Sequence, residues 1–306
     1  MSSFWAGLGG RLADRWLAVA LPSLLFWLAG IAAWLSGHGG WERLTALLGD
    51  LDRSGAGEAV LVVALALLVV AGSAAVVERL TLPVLRLLEG YWPGWLQPVR
   101  ARAVAWRGVR IARDEARYQE LERAVDEGRA EPSSVDELVS LDGRLRRTPA
   151  AGRRMPTRLG DVLRAAEMLP HGKYGLDVVR CWPRLWLLLP DSARQELLGA
   201  RRNLDASVTA LTWAVLAAGW TVSAWWMLPV AVVAVAIVHR WWSLPAAEVY
   251  GDLVEAAFDV YRTALYDALR WPLPGNPLAE SELGLRLTAY LWRGSREEIP
   301  HFRVPG

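Results

Sequence analysis

Residues 206–238 read ASVTALTWAVLAAGWTVSAWWMLPVAVVAVAIV, 33 residues without a charged side chain. A bilayer core of about 30 Å is crossed by roughly 20 apolar helical residues, so the run is too long for one span at ordinary tilt and too short for two full ones. Two further uncharged runs precede it, Trp16–Ser36 with 21 residues and Ala59–Val77 with 19. Together they mark a polytopic membrane protein. Arginine placement sets the number of crossings. Arg11 and Arg15 precede the first run, Arg43 and Arg53 are the basic residues between the first and second, and every other arginine falls after Val77 and outside the third run. Basic residues collect on the cytoplasmic side, which puts the N-terminus, the long central segment and the C-terminal segment all inside. That requires an even number of spans. The third run must therefore turn back on itself, and Pro229 is the expected place, because proline suits the start of a new helix and not the interior of an old one. Trp225 and Trp226 would mark the outer interface, Trp241 and Trp242 the inner one.

The expected fold is all-α, with four transmembrane helices (two, then a hairpin) and a helical cytoplasmic domain. Residues 1–15 form a cytoplasmic N-terminal segment, 16–77 the first two spans with a short external loop at 37–58, 78–205 the cytoplasmic helical domain, 206–247 the hairpin, and 248–306 the cytoplasmic C-terminal helices and tail. The first run exceeds the usual apolar core of a signal peptide, and Trp34, His38 and Trp41 crowd out a small-residue cleavage site, so it reads as an uncleaved span. In the external loop, Trp41, Leu44, Leu47, Leu48 and Leu51 recur at helical spacing, as in an amphipathic helix lying on the outer surface. With 53% hydrophobic and 22% charged residues, the chain divides between lipid and water. Its single cysteine, Cys181, excludes an intrachain disulfide and a thiolate metal cage.

The central segment reads as helices throughout. The pattern beyond Val77 continues to Leu88, interrupted at Pro83, and stops at Gly90 and Pro93. From Pro98 to about Ala130, Arg107, Arg110, Arg113 and Arg117 recur every three or four residues beside acidic partners. Pro132 opens a helix through Leu141, and a basic linker follows from Arg144 to Arg158. Thr157 is placed to cap a helix through Leu169 that Pro170 ends, and Ser192 with Gln195 has capping-box spacing ahead of the third run. A last amphipathic helix is expected over about Glu282–Trp292. No alternating strand pattern is present.

The segments Thr157-Arg158-Leu159-Gly160, Arg164-Ala165-Ala166-Glu167, Tyr174-Gly175-Leu176-Asp177 and Trp182-Pro183-Arg184-Leu185 resemble a stretch of uncharacterised bacterial polytopic integral membrane proteins. That resemblance covers roughly a tenth of the chain and implies no activity; the expected location is the bacterial inner membrane, with both termini cytoplasmic. The order of two spans, a helical cytoplasmic region and two more spans is similar in layout alone to bestrophin-type anion channels, without their sequence signature.

Enzyme signatures are missing. The four histidines, His38, His171, His239 and His301, lack metal-ligand spacing, and there is no Walker loop, GxGxxG or GxSxG. No catalytic residue, cofactor or metal site is expected. Glu248, Asp252, Glu255 and Asp259 lie at i, i+4, i+7 and i+11 and share one helix face. They are either a cation site or a structural stripe paired with an arginine-rich helix such as Arg107–Arg117. The basic residues Arg100, Arg102, Arg107, Arg110, Arg144, Arg146, Arg147, Arg153 and Arg154 suit anionic lipid headgroups. Nucleic acid is not expected at a net charge of +2. Small-residue rows at Ala71 and Ala75, and at Ala210, Ala214 and Ala218, allow close helix approach and suggest a homo-oligomer. His239 and Arg240 are the ionisable pair that the topology carries into the bilayer. Arg240 lies roughly 16 Å along a helix counted from Pro229, so it faces a thinned interface, is paired internally, or lines an anion pathway. The functional expectation is a non-enzymatic oligomeric membrane assembly, permeable to anions. The alternative is a membrane-anchored scaffold or effector whose cytoplasmic helices bind a protein partner.

Overall fold

The computed structural model describes residues 21–37 and 56–294, with positions 40, 42, 45, 46 and 49 between them. The segment 1–15, the start of the first apolar run, the surface helix expected from Trp41, Leu44, Leu47, Leu48 and Leu51, and the tail beyond Gly294 lie outside the described residues, as do His38 and His301. No strand occurs among the described residues, so the all-α expectation holds. The helices are α1 (Leu21–Gly37), α2 (Ala56–Glu89), α3 (Gln97–Asp126), α4 (Pro132–Arg146), α5 (Arg158–Tyr174), α6 (Val178–Leu188), α7 (Asp191–Ala217), α8 (Met227–Val238), α9 (Leu244–Ala268) and α10 (Pro277–Arg293).

Two helical runs among the described residues are long and apolar enough to cross a membrane, one containing α2 and one from Met227 to Ala268. α1 is apolar but shorter over its described residues. The first half of α7 carries Asp191, Arg194, Glu196, Arg201, Arg202 and Asp205. Its uncharged stretch, 206–217, covers only about 18 Å before the helix breaks.

The chain separates into two compact units. The first comprises Met1–Leu85 and Asp205–Ser243, the second Arg86–Leu204 and Leu244–Gly306. In the first unit, the third apolar run breaks at 218–226 and not at Pro229. A 3-10 turn spans Ala218–Val222, and the Trp220 carbonyl accepts the N–H groups of Ser223 and Ala224. Pro229 is the third residue of α8, where its missing N–H falls among the first-turn groups that have no helical partner anyway. The break comes earlier because aromatic packing selects it. Ala29, Gly30 and Ala33 of α1 leave a shallow face that receives Trp220, and a Cβ on Gly30 would fall 2.3 Å from that indole ring. Ala224 and Met227 close the same small core, and the Trp226 indole donates to Ser36 Oγ at 3.3 Å. Phe26 packs against Trp213 and Trp220, and Trp27 donates to Ser73 Oγ of α2 at 3.1 Å. The hydroxyls of Thr81 on α2 and Thr209 on α7 lie 3.0 Å apart.

In the second unit, α3 and α4 pair, α5 lies along α9, and α6 and α10 complete the bundle. Its apolar core is built around Leu185, Phe258, Leu265, Tyr266, Trp271 and Leu287, all buried. Thr157, Asp177 and Asn276 cap α5, α6 and α10 through side-chain oxygens that accept N–H groups three residues on. Two expected breaks are absent. α2 runs through Pro83, and α5 runs through Pro170 to Gly175, where a left-handed backbone (φ 70°) ends it. Each proline forfeits one helical bond, and packing over the rest of a long helix outweighs that loss. Gly175 also lies where α10 crosses: a Cβ on Gly284 would sit 1.9 Å from the Tyr174 carbonyl oxygen, so the two backbones touch.

Candidate functional site

The acidic stripe on α9 is fully engaged by cations, but not by those of α3. Glu248 pairs with Arg158 at 3.2 Å, Asp252 takes a two-pronged pair from Arg147 at 2.7 and 3.3 Å, and Asp259 binds Lys173 at 3.3 Å and the Tyr174 hydroxyl at 2.7 Å. Glu255, whose side chain is only 8% exposed, is held by Arg146 at 2.6 Å and by Lys173. The expected pairing with Arg107–Arg117 therefore gives way to partners from the basic linker and the end of α5, because α5 and not α3 packs along α9. Burial works to lower the Lys173 ammonium, but its bonds to Glu255 and Asp259 prevail and hold it above its ordinary range. Among the described residues, no group of three or more histidine, cysteine, aspartate or glutamate side chains has the geometry of a metal site.

The arginines of α3 serve other partners. Arg117 pairs with Glu137 of α4 and Glu120. Arg107 grips Asp161, a nearly fully buried carboxylate whose other oxygen accepts the Met155 N–H at 2.7 Å. Asp161 belongs to the segment Thr157–Asp161, which forms a junction. The Thr157 hydroxyl accepts the Gly160 N–H at 2.9 Å and donates to the Leu88 carbonyl, while a Cβ on Gly160 would lie 1.9 Å from the Glu89 carbonyl oxygen. The end of α2, the middle of α3 and the start of α5 thus meet at three side-chain choices: a cap, a residue without a side chain, and a buried acid. At the same junction, burial and the nearby Glu167 raise the Glu89 carboxyl above its usual range, against the pull of Arg201 and Arg86.

Beside this junction opens a cleft of about 370 Å³, walled by α3, the end of α4, the linker that follows it and α5. Its lining holds six arginines, Arg107, Arg110, Arg113, Arg144, Arg147 and Arg158, against two acids, Asp114 and Asp161. Arg144 approaches Asp114 only to 3.9 Å. Arg110 sits over the Trp106 ring, its guanidinium carbon 3.8 Å from the ring centre. Four of the arginines expected at lipid headgroups (Arg107, Arg110, Arg144 and Arg147) line this cleft. Of the others, Arg146 binds Glu255, Arg154 crosses Gly108 to reach Glu115 at 3.0 Å, and Arg100 donates to the Gly90 carbonyl at 3.2 Å. Arg102 and Arg153 are exposed. Asp161, Lys173 and Arg158 escaped the sequence reading. The cap at Thr157 was the available signal, since an acid in the first turn of a capped helix is held near backbone N–H groups.

In the first unit, His239 and Arg240 open a single turn of π-helix, His239–Ser243, that joins α8 to α9. Arg240 is exposed, as are its neighbours Trp241 and Trp242. Because α8 begins at Met227 and not at Pro229, Arg240 lies roughly 20 Å along the helix instead of 16 Å.

Comparison with models of protein families, with curated proteins and with solved structures finds no match to this chain.

Proposed function

We propose that this chain is a four-span protein of the bacterial inner membrane, with both termini cytoplasmic, that acts as a membrane-anchored, non-enzymatic binding scaffold through its second, helical unit. The supporting observation is α2. Val60, Leu61, Leu65, Leu67 and Leu68 are each more than 60% exposed, and their apolar neighbours through Val69 are exposed too, so over residues 60–69 every side of the helix is open among the described residues. An apolar side chain left in water forgoes roughly 1.5–3 kcal/mol relative to burial, and a run of them needs hydrocarbon around it. The scaffold reading draws on the shift of Arg240 toward the inner interface, where its side chain reaches headgroups beside the tryptophan belt. Two measurements test it together. The protein should stay with membranes through alkaline carbonate washing, and a fluorescent reporter fused after Gly306 should be bright in the cytoplasm. Release by carbonate would remove the membrane anchor, and a dark cytoplasmic reporter with an active periplasmic one would mean an odd number of spans.

A homo-oligomeric, anion-permeable assembly is the second reading. It draws on the exposed Arg240 and on α2, where a Cβ at Gly72 meets nothing within 4 Å and Ala75 is exposed, leaving a small-residue face open to another copy. Purified protein in planar bilayers would then carry anion-selective current that Arg240→Glu reduces or reverses. Current indifferent to that change, or none from well-folded protein, leaves the scaffold.

A further inference from the structure

The geometry points to the arginine-lined cleft as a binding site for a compact polyanion bearing two or more phosphate groups. Counting every carboxylate paired to its lining, including Glu248 and Asp252 from α9, six guanidinium groups face four acids. The surplus is localised. Arg110 and Arg113 have no acidic partner among the described residues, and they stand three residues apart on the wall that α3 contributes. Like charges at that spacing repel, and their crowding around a concave space is relieved by an anion. Their neighbours are fixed in advance: Arg107 by buried Asp161, Arg147 by Asp252 and Arg158 by Glu248. Arg110, its guanidinium carbon over the Trp106 ring, donates to no carboxylate among the described residues, and a guanidinium's fork of N–H donors is what paired phosphate oxygens match.

Size and lining narrow the ligand. A volume of about 370 Å³ is at the small end of ligand sites. Among the described residues, the apolar side chains on the walls are Ile111 and Val162, and no aromatic ring is among the lining. It therefore lacks both a stacking platform for a nucleobase and a greasy slot for an acyl chain. A diphosphate or a doubly phosphorylated headgroup fits that chemistry, whether it comes from free solute or from a lipid. The site names a ligand for the proposed scaffold unit, and it depends on the membrane reading only for the lipid source.

The test uses the full chain purified in detergent and in phosphatidylcholine nanodiscs with or without cardiolipin, with inorganic pyrophosphate as the soluble probe. Calorimetric titration in detergent reads the soluble source, and lipid retention by native mass spectrometry reads the headgroup source. Binding of either probe should weaken about tenfold or more in Arg110→Gln/Arg113→Gln, since a single charge-assisted hydrogen bond to phosphate is worth a factor of that order. Arg110→Lys/Arg113→Lys, which keeps the charge but not the fork, should fall between. Arg123→Gln/Arg129→Gln removes the same charge from exposed positions at and just beyond the end of α3, outside the cleft, and should leave binding unchanged. Pyrophosphate binding abolished in the cleft variant assigns a soluble ligand, and cardiolipin retention abolished in it assigns a headgroup. Failure of folded protein to bind either probe, equal binding by the cleft variant, or an equal loss in the α3 control would each overturn the proposal. None of these outcomes bears on carbonate resistance, so the site and the membrane anchor fail separately.

Discussion

Replacing Asp161 with asparagine tests the junction of the second unit most directly, because size and shape are kept while charge is removed. The carboxylate receives two N–H groups from Arg107 and one from Met155, and its side chain is 2% exposed. Asparagine retains one acceptor oxygen and turns the other into a donor, which faces either the Met155 N–H or the guanidinium. Removing one partner of a buried pair costs about 3–5 kcal/mol. The Arg107 side chain is 20% exposed and recovers some hydration, which puts the expected loss at the lower end, about 3 kcal/mol. For a unit of roughly 150–250 residues, each kcal/mol moves the melting temperature by about 2–4 °C, so Asp161→Asn should melt about 6–12 °C lower. The assay is tryptophan near-UV circular dichroism of detergent-purified protein during heating. Arg117→Gln, which breaks an exposed pair on the same helix, serves as the reference and should not shift the transition measurably. A shift below about 2 °C for Asp161→Asn would refute the reasoning, because it would make the junction no stronger than a surface ion pair.

The carboxylates of the acidic stripe are each paired to cations, so Asp252→Asn/Glu255→Gln is expected to lower stability by about 2 kcal/mol, mostly through Glu255, and to leave divalent metal content unchanged. Stoichiometric metal in the wild type that disappears in the variant would instead establish a cation site. Burial pushes the Cys181 thiol from its ordinary 9.0 up to about 11. Folded protein should therefore resist alkylation at pH 8. Between about pH 9 and 11 the unfolded chain ionises while the folded thiol stays protonated, so stability should fall with rising pH across that window by up to about 2–3 kcal/mol more in the wild type than in Cys181→Ala. Equal slopes for the two proteins would show that the thiol is solvated.

Much of the helical architecture is written in local pattern. Uncharged runs, the Thr157 cap and the periodicity of α3 and α10 each follow from a few neighbouring residues, and an all-α chain with apolar helices is legible from them. Prolines misled wherever packing outweighed one missing bond, at Pro83 and Pro170, and the break before α8 was set by Gly30 receiving Trp220, a meeting of residues far apart in the chain that no local rule contains. The candidate site divides the same way. That arginines are many, clustered and one helical turn apart on α3 is legible before folding, because periodicity and composition are local properties. Which of them keep their charge unspent depends on helix adjacency: α5 lies along α9, so Arg146, Arg147, Arg158 and Lys173 neutralise the acidic stripe, buried Asp161 takes Arg107, and Arg110 and Arg113 are left facing the cleft. Coulomb attraction at about 3 to 4 Å is settled by which helices are adjacent, and adjacency is decided by the apolar core and the glycine contacts, far along the chain from the charges themselves.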